Sequence, residues 1–171
     1  MREHERAMRE MVLGSLLIGL VAGGGLLKLA PLPSVPVLAF DLGTGVIYAG
    51  ACLLGPRVGG VIGSVGSALG EVLVGNYSLA PLTFFIRGGE GYLVGLLSTG
   101  RGGVQDAMAM ALGALAMTAG FTLTAAFTGG LRAMPLLLAE SSARGLGGIL
   151  LGTALCFAAR LIYPDVLRYR S

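Results

Sequence analysis

The sequence predicts an all-α polytopic membrane protein: a six-transmembrane-helix bundle built as one domain over residues 1–171. Three observations carry that prediction. The first is composition. Hydrophobic residues make up 54% of the chain, charged residues only 12%, and the mean hydropathy is +0.82; an ordinary soluble domain has about 25% charged residues. The second is a series of apolar runs close to the ~20 residues that a helix needs to cross a bilayer. The third is glycine. There are 30, without a collagen-like period, and they lie inside the apolar runs, where they let helix backbones approach closely.

The same composition excludes several function classes. A net charge of +3 with no Lys/Arg-rich block offers no nucleic-acid surface. The single histidine, His4, lies in a charged N-terminal tail and cannot build a histidine metal site. Cys52 and Cys156 sit in apolar segments without CxxC spacing, so they read as packing residues. No metal or other cofactor is expected. The apolar run after Met1–Arg6 is too long for a signal-peptide core and lacks a cleavage site, so it reads as the first membrane helix.

The first span is expected over about Met11–Ala30. Ser15, Gly19 and Gly23 recur every four residues there, a stripe of small side chains suited either to internal packing or to docking on another membrane protein. Three prolines in Pro31–Pro36 make a loop. The second span, about Val37–Leu54, carries Asp41, Thr44 and Tyr48 on one face. Gly55-Pro56-Arg57 turns the chain into a third span, about Val58–Gly75, with Ser64, Ser67 and Glu71 on one face. The fourth, about Pro81–Ser98, opens on a proline, which a first helical turn tolerates, and aligns Thr83, Arg87 and Glu90. The fifth is expected over Val104–Thr128. Gly129–Ser142 reads as a connection whose Met134–Ala139 core lies at the interface, and the sixth span follows at about Ala143–Tyr163.

Six spans place both termini on one side. Eight of the 12 Lys and Arg residues (Arg2, Arg6, Arg9, Arg57, Arg101, Arg160, Arg168 and Arg170) fall on that side, and Lys28, Arg132 and Arg144 on the other. Basic loops stay inside, so both termini are expected in the cytoplasm of a plasma-membrane protein. Asp41, Glu71, Arg87, Glu90, Thr122 and Arg144 then lie within roughly 5–15 Å of the outer surface at 1.5 Å rise per residue, and the inner halves hold almost no ionisable groups. That pattern describes a pocket open to the outside and closed below, not a pore lined through both halves. Charges at such depth default to function because they are costly unless paired or facing a polar cavity. The stretch Glu71–Gly95 is the centre of the pattern, with Asn76, Tyr77 and Phe84 beside it. Arg87 and Glu90, at i and i+3, are also spaced to pair with each other.

Leu54-Gly55-Pro56 before a glycine-rich helix, the run Ala80–Leu97, and the stripe Ser15, Gly19, Gly23 together resemble the substrate-binding S components of energy-coupling factor (ECF) transporters. The resemblance extends over nearly the whole chain in length and span count. It implies six helices, capture of a vitamin or vitamin precursor, no enzymatic activity, and partnership with a transmembrane coupling subunit and two ABC-type ATPases. The absence of a GxxxxGK[ST] phosphate loop agrees. The resemblance implies a pocket in the outer half capped by Pro31–Pro36 and Asn76–Ala80. The implied substrate-binding residues are Asp41, Glu71, Asn76, Tyr77, Phe84, Arg87, Glu90, Thr122 and Arg144; the implied docking residues are Ser15, Gly19 and Gly23. Metal-importing members use a histidine near a mature N-terminus, and His4 follows Met-Arg-Glu, which disfavours that branch. The competing reading is an autonomous small secondary transporter or channel, whose marks are internal repeats or polar inner halves. The ligand is not named by the residues; riboflavin-like, thiamin-like and other vitamin precursors all suit a mixed-charge pocket.

Overall fold

A computed structural model describes residues 2–27, 42–100, 103–128 and 134–162. Among these the chain is all helical. In order come α1 (Arg2–Leu27), α2 (Leu42–Leu54), α3 (Pro56–Val61), α4 (Ser67–Leu73), α5 (Ala80–Leu97), α6 (Val104–Thr128) and α7 (Met134–Ile162). A π-helical turn, Ile62–Gly66, joins α3 to α4 without a break, so they form one rod with a widened middle. Gly55 (φ +90°) and Gly75 (φ +83°) follow α2 and α4. Both have a positive φ, which glycine adopts without a Cβ clash.

The expected end of the first span, Ala30, and start of the second, Val37, lie outside the described residues. Most of the other expected boundaries agree within two residues, and two do not. α1 begins at Arg2, so the charged stretch before Met11 is helical. The separate connection expected over Gly129–Ser142 is corrected: α7 starts at Met134 and runs unbroken through Ser142. Pro135 lies in its first turn, where a missing N–H costs nothing. The Pro31–Pro36 loop lies outside the described residues.

Large apolar side chains cover much of the outside of the described helices. Met11 is 71% exposed, Phe85 75%, Val104 77% and Leu161 70%, and α6 turns Met108, Leu112, Leu115 and Leu123 outward along one face. In water such a surface would drive aggregation; against acyl chains it is the matching one. Val104–Thr124 and Leu138–Ala159 are long and apolar enough to cross a bilayer, and Met11–Gly24 and Leu42–Leu54 are shorter apolar helices. The core gathers Ile47, Tyr48, Cys52, Ile62, Val94 and Met110 from α2, the π turn, α5 and α6.

Lipid removes the hydrophobic drive between helices, so contact depends on close packing. Glycines make that contact. A Cβ at Gly59 of α3 would stand 2.6 Å from Ala51 Cβ and 2.8 Å from the Gly91 carbonyl oxygen, and one at Gly95 would stand 2.5 Å from Pro56 Cα. α3 and α5 therefore touch backbone to backbone. One at Gly66 would stand 2.8 Å from Val21 Cβ, bringing α1 against the π turn, and one at Gly145 would stand 2.9 Å from Ala114 Cβ, joining α7 to α6.

Gly91→Ala should lower the thermal midpoint of the detergent-purified protein, because the added methyl meets the Gly59 backbone, which cannot move aside. The loss should be about 1–3 kcal/mol, the usual cost of overpacking. Gly89→Ala, on the same helix with no atom within 4 Å of the new methyl, should melt like wild type. Equal effects of the two variants would refute this packing.

Candidate functional site

Two charged side chains are buried together at mid-depth. Arg87 is 3% exposed and Glu90 1%. Both lie on α5, whose i, i+3 spacing puts them on one face, and Arg87 Nη1 stands 3.2 Å from Glu90 Oε2. The pair is tied to α2. Arg87 Nη1 donates to Thr44 Oγ1 at 2.6 Å, and the Tyr48 hydroxyl donates to Glu90 Oε1 at 2.7 Å. α6 adds Phe121, whose ring centroid lies 6.0 Å from Arg87 Cζ. A guanidinium and a carboxylate each find several partners here, as burial in a low-dielectric interior requires.

Small residues on three helices make room for this network. A Cβ at Gly148 of α7 would stand 2.9 Å from Thr44 Cβ and 3.3 Å from Tyr48 Cε2; one at Gly152 would stand 2.8 Å from Tyr48 Cβ. Gly113 of α6 lies directly against the Val94 side chain and in ordinary contact with Glu90 Cγ, 3.7 Å from where its Cβ would stand. Gly63 of the π turn lies directly against the Arg87 carbonyl. Tyr48 is the largest fully buried side chain among the described residues. Beneath it the packing is apolar, through Val94, Met110 and Cys52.

The other expected site residues are distributed around this centre. Asp41 lies outside the described residues. Glu71, half-buried at the end of α4, accepts from Asn76 Nδ2 at 3.1 Å, and Asn76 N–H donates to the Glu71 carbonyl at 2.8 Å. These bonds close the short turn into α5 at its rim. Tyr77 is 69% exposed on that turn. Phe84 is exposed on α5 and packs edge-on against Phe85 with centroids 5.4 Å apart. Thr122 is buried on α6. Arg144 does not open its helix as expected. It lies well inside α7, half-exposed, and pairs with Glu140. On α1, Ser15 donates to the Met11 carbonyl at 2.8 Å, and a Cβ at Gly19 or Gly23 would meet no atom within 4 Å. Ser15 and Gly19 are exposed and Gly23 is half-buried, and no described residue packs against either glycine.

Thr44, Tyr48 and Phe121 were not among the expected site residues. The i+4 spacing of Thr44 and Tyr48 was a usable signal; nothing local marks Phe121. A separate cavity of about 420 Å³ lies at the opposite end of α6 and α7, lined by Met110, Thr153, Cys156 and Phe157 among others. Asp106 at its edge accepts from Thr99 N–H at 2.7 Å, the Thr99 hydroxyl at 3.1 Å and Gly100 N–H at 3.2 Å. That carboxylate ties the turn between α5 and α6. Among the described residues no group of three His, Cys, Asp or Glu side chains is placed to hold a metal.

Residues 6–158 match the family model described as "ECF-type riboflavin transporter, S component". A protein of Pyrococcus woesei, described as "Uncharacterized protein in gap 3'region", is 47% identical over 60 residues, which are 35% of this chain and 40% of that protein. The match thus spans well under half the relative's length. No solved structure matches the chain.

The losses from removing the two members of the buried pair should not add. Glu90→Ala leaves a guanidinium without its carboxylate and should cost about 3–5 kcal/mol. Arg87→Ala/Glu90→Ala should lose clearly less than the sum of the two single variants in a double-mutant cycle. Additive losses, measured by thermal or denaturant unfolding in detergent, would show that the two side chains do not depend on each other.

Proposed function

The chain belongs to the ECF-type riboflavin transporter S-component family, and from that premise we propose that it captures riboflavin or a closely related vitamin at the outer side of the cell membrane for an ATP-driven importer. The family is one of transporter components, not of enzymes, and the chain is a multi-pass membrane protein. The match over residues 6–158 is the observation that carries the reading. The geometry supports it. The Arg87–Glu90 pair has no net charge, which suits an uncharged ligand rich in hydrogen-bonding groups. Arg87, Thr44, Glu90 and Tyr48 form the floor of the capture site, with Phe121 and Phe84 as candidate ring contacts. Asp41, Glu71, Asn76, Tyr77, Thr122 and Arg144 belong to its walls and rim. Apolar packing beneath the floor closes the inner half.

In this reading six spans cross the membrane and both termini are cytoplasmic, following the eight-to-three bias of basic residues. A cysteine at Ser78, on the exposed turn before α5, should react with an impermeant reagent on intact cells, and one at Ser171 should not. The reverse labelling would invert the topology and move the site to the cytoplasmic side.

The partner of the outward stripe on α1 is the transmembrane coupling subunit, which in turn binds the ATPases. Gly19→Leu and Gly23→Leu add bulk where no described atom of this chain lies within 4 Å of the new Cβ. They should leave the isolated protein stable and able to bind vitamin, while co-purification with the coupling subunit is lost. Retention of the complex by both variants would remove the stripe from the interface.

Ligand identity is tested directly by native mass spectrometry of the purified protein and by calorimetric titration with riboflavin. Arg87→Lys keeps the charge but loses the planar fork that reaches Thr44 and Glu90 together. It should weaken riboflavin binding about tenfold or more, a loss of at least about 1.4 kcal/mol. If folded Arg87→Lys binds as wild type does, Arg87 is a structural ion-pair member only.

A further inference from the structure

Thr122 departs from a pattern that other helical hydroxyls of this chain follow. A serine or threonine within a helix can satisfy its hydroxyl by donating to the carbonyl four residues back. Ser15 does so to Met11 at 2.8 Å, Thr124 to Gly120 at 2.9 Å and Thr153 to Ile149 at 2.8 Å. Thr122 is 8% exposed. Among the described residues its Oγ1 is the one fully buried side-chain polar atom with no hydrogen-bond partner. An orphan hydroxyl in apolar surroundings is destabilising, and the helix offers a local remedy that this side chain does not take.

Its position is also informative. Phe121, the preceding residue, holds its ring against Arg87, so this turn of α6 lies at the depth of the Arg87–Glu90 pair. The contact of Gly145 with Ala114 sets α7 alongside α6. Thr122 lies eight residues beyond Ala114, about 12 Å closer to the end where α5 begins. It therefore stands in the outer part of the bundle, level with the floor of the capture site and apart from the apolar packing below it.

We propose that, within the capture site, the Thr122 hydroxyl donates a hydrogen bond to a carbonyl or ring nitrogen of the captured molecule. The inference rests on the capture reading above and adds to it a specific hydrogen bond from α6. The missing intramolecular partner follows: a hydroxyl committed to its own helix has its proton already engaged, whereas this one is available to an acceptor entering between α6 and its neighbours. The ligand class is an uncharged heteroaromatic with a hydrogen-bonding edge, since the neighbouring charges already neutralise each other.

Thr122→Val preserves shape and removes only the hydroxyl. In the ligand-free, detergent-purified protein this variant should melt no lower than wild type. By calorimetry it should bind riboflavin about tenfold more weakly, the effect of losing one hydrogen bond, and Thr122→Ser should recover most of that loss. Wild-type affinity in Thr122→Val would overturn the proposal. A lower melting midpoint for ligand-free Thr122→Val would also overturn it, because the hydroxyl would then already serve the fold. If wild-type protein binds no riboflavin, the capture reading falls and takes this inference with it; failure of the Thr122 variants alone leaves that reading standing.

Discussion

A guanidinium at the depth of Arg87 must be neutralised, and much of the fold is arranged to do it. Glu90 supplies the charge from the next turn of α5. Thr44 and Tyr48 supply hydrogen bonds from α2. Neither helix does this alone, because one carboxylate cannot satisfy five N–H donors, and the carboxylate has lone pairs of its own to fill. The polar network therefore fixes how α2 is rotated relative to α5. A buried ion pair is weak evidence for stability when compared with an apolar core. Its presence at the centre of an otherwise apolar bundle is better explained by specificity, of the fold or of what the fold holds.

Glycine is the other half of that arrangement. The tyrosine and the threonine have volume, and they reach the pair only because α7 presents Gly148 and Gly152 at their level. α5 approaches α3 through Gly59, Gly91 and Gly95, and the π turn places Gly63 against the Arg87 carbonyl. The widened turn and the glycine work together: one shifts the helix register locally, and the other lets the backbone of α5 come close. π turns inside helices often coincide with functional positions, and this one abuts the residue on which the polar network centres.

Much of this was legible in the sequence. Apolar length and glycine content gave the all-helical class. Thr83, Arg87 and Glu90 are all buried, as their shared face required, and Thr44 and Tyr48 follow the i, i+4 spacing on α2. The i, i+3 spacing allows Arg87 and Glu90 to pair, but periodicity does not encode that they do. The placement of Glu71 beside Asn76 depends on how tightly the chain turns after α4. Phe121 was not legible because its contact crosses from α6 to α5. The continuous α7 was missed because the Met134–Ala139 run, taken alone, is too short to span and contains Pro135, whereas a proline in a first helical turn is compatible with the helix that follows.

The two faces that matter for the proposed role sit on different helices, with α2 between them. α1 carries the outward stripe of Ser15, Gly19 and Gly23. Yet α1 packs on α2 closely: a Cβ at Gly24 would stand 3.3 Å from Gly43 N, and one at Gly50 would stand 3.3 Å from Leu17 Cδ1. The opposite side of α2 holds Thr44 and Tyr48 on the charged pair. Any change in how α2 seats against α5 must therefore be taken up either by its contact with α1 or by strain in tightly packed glycine interfaces. Because those interfaces have little room to deform, α2 and the π turn, which meets Val21 of α1 through Gly66 and the Arg87 carbonyl through Gly63, are elements that link the polar floor to α1.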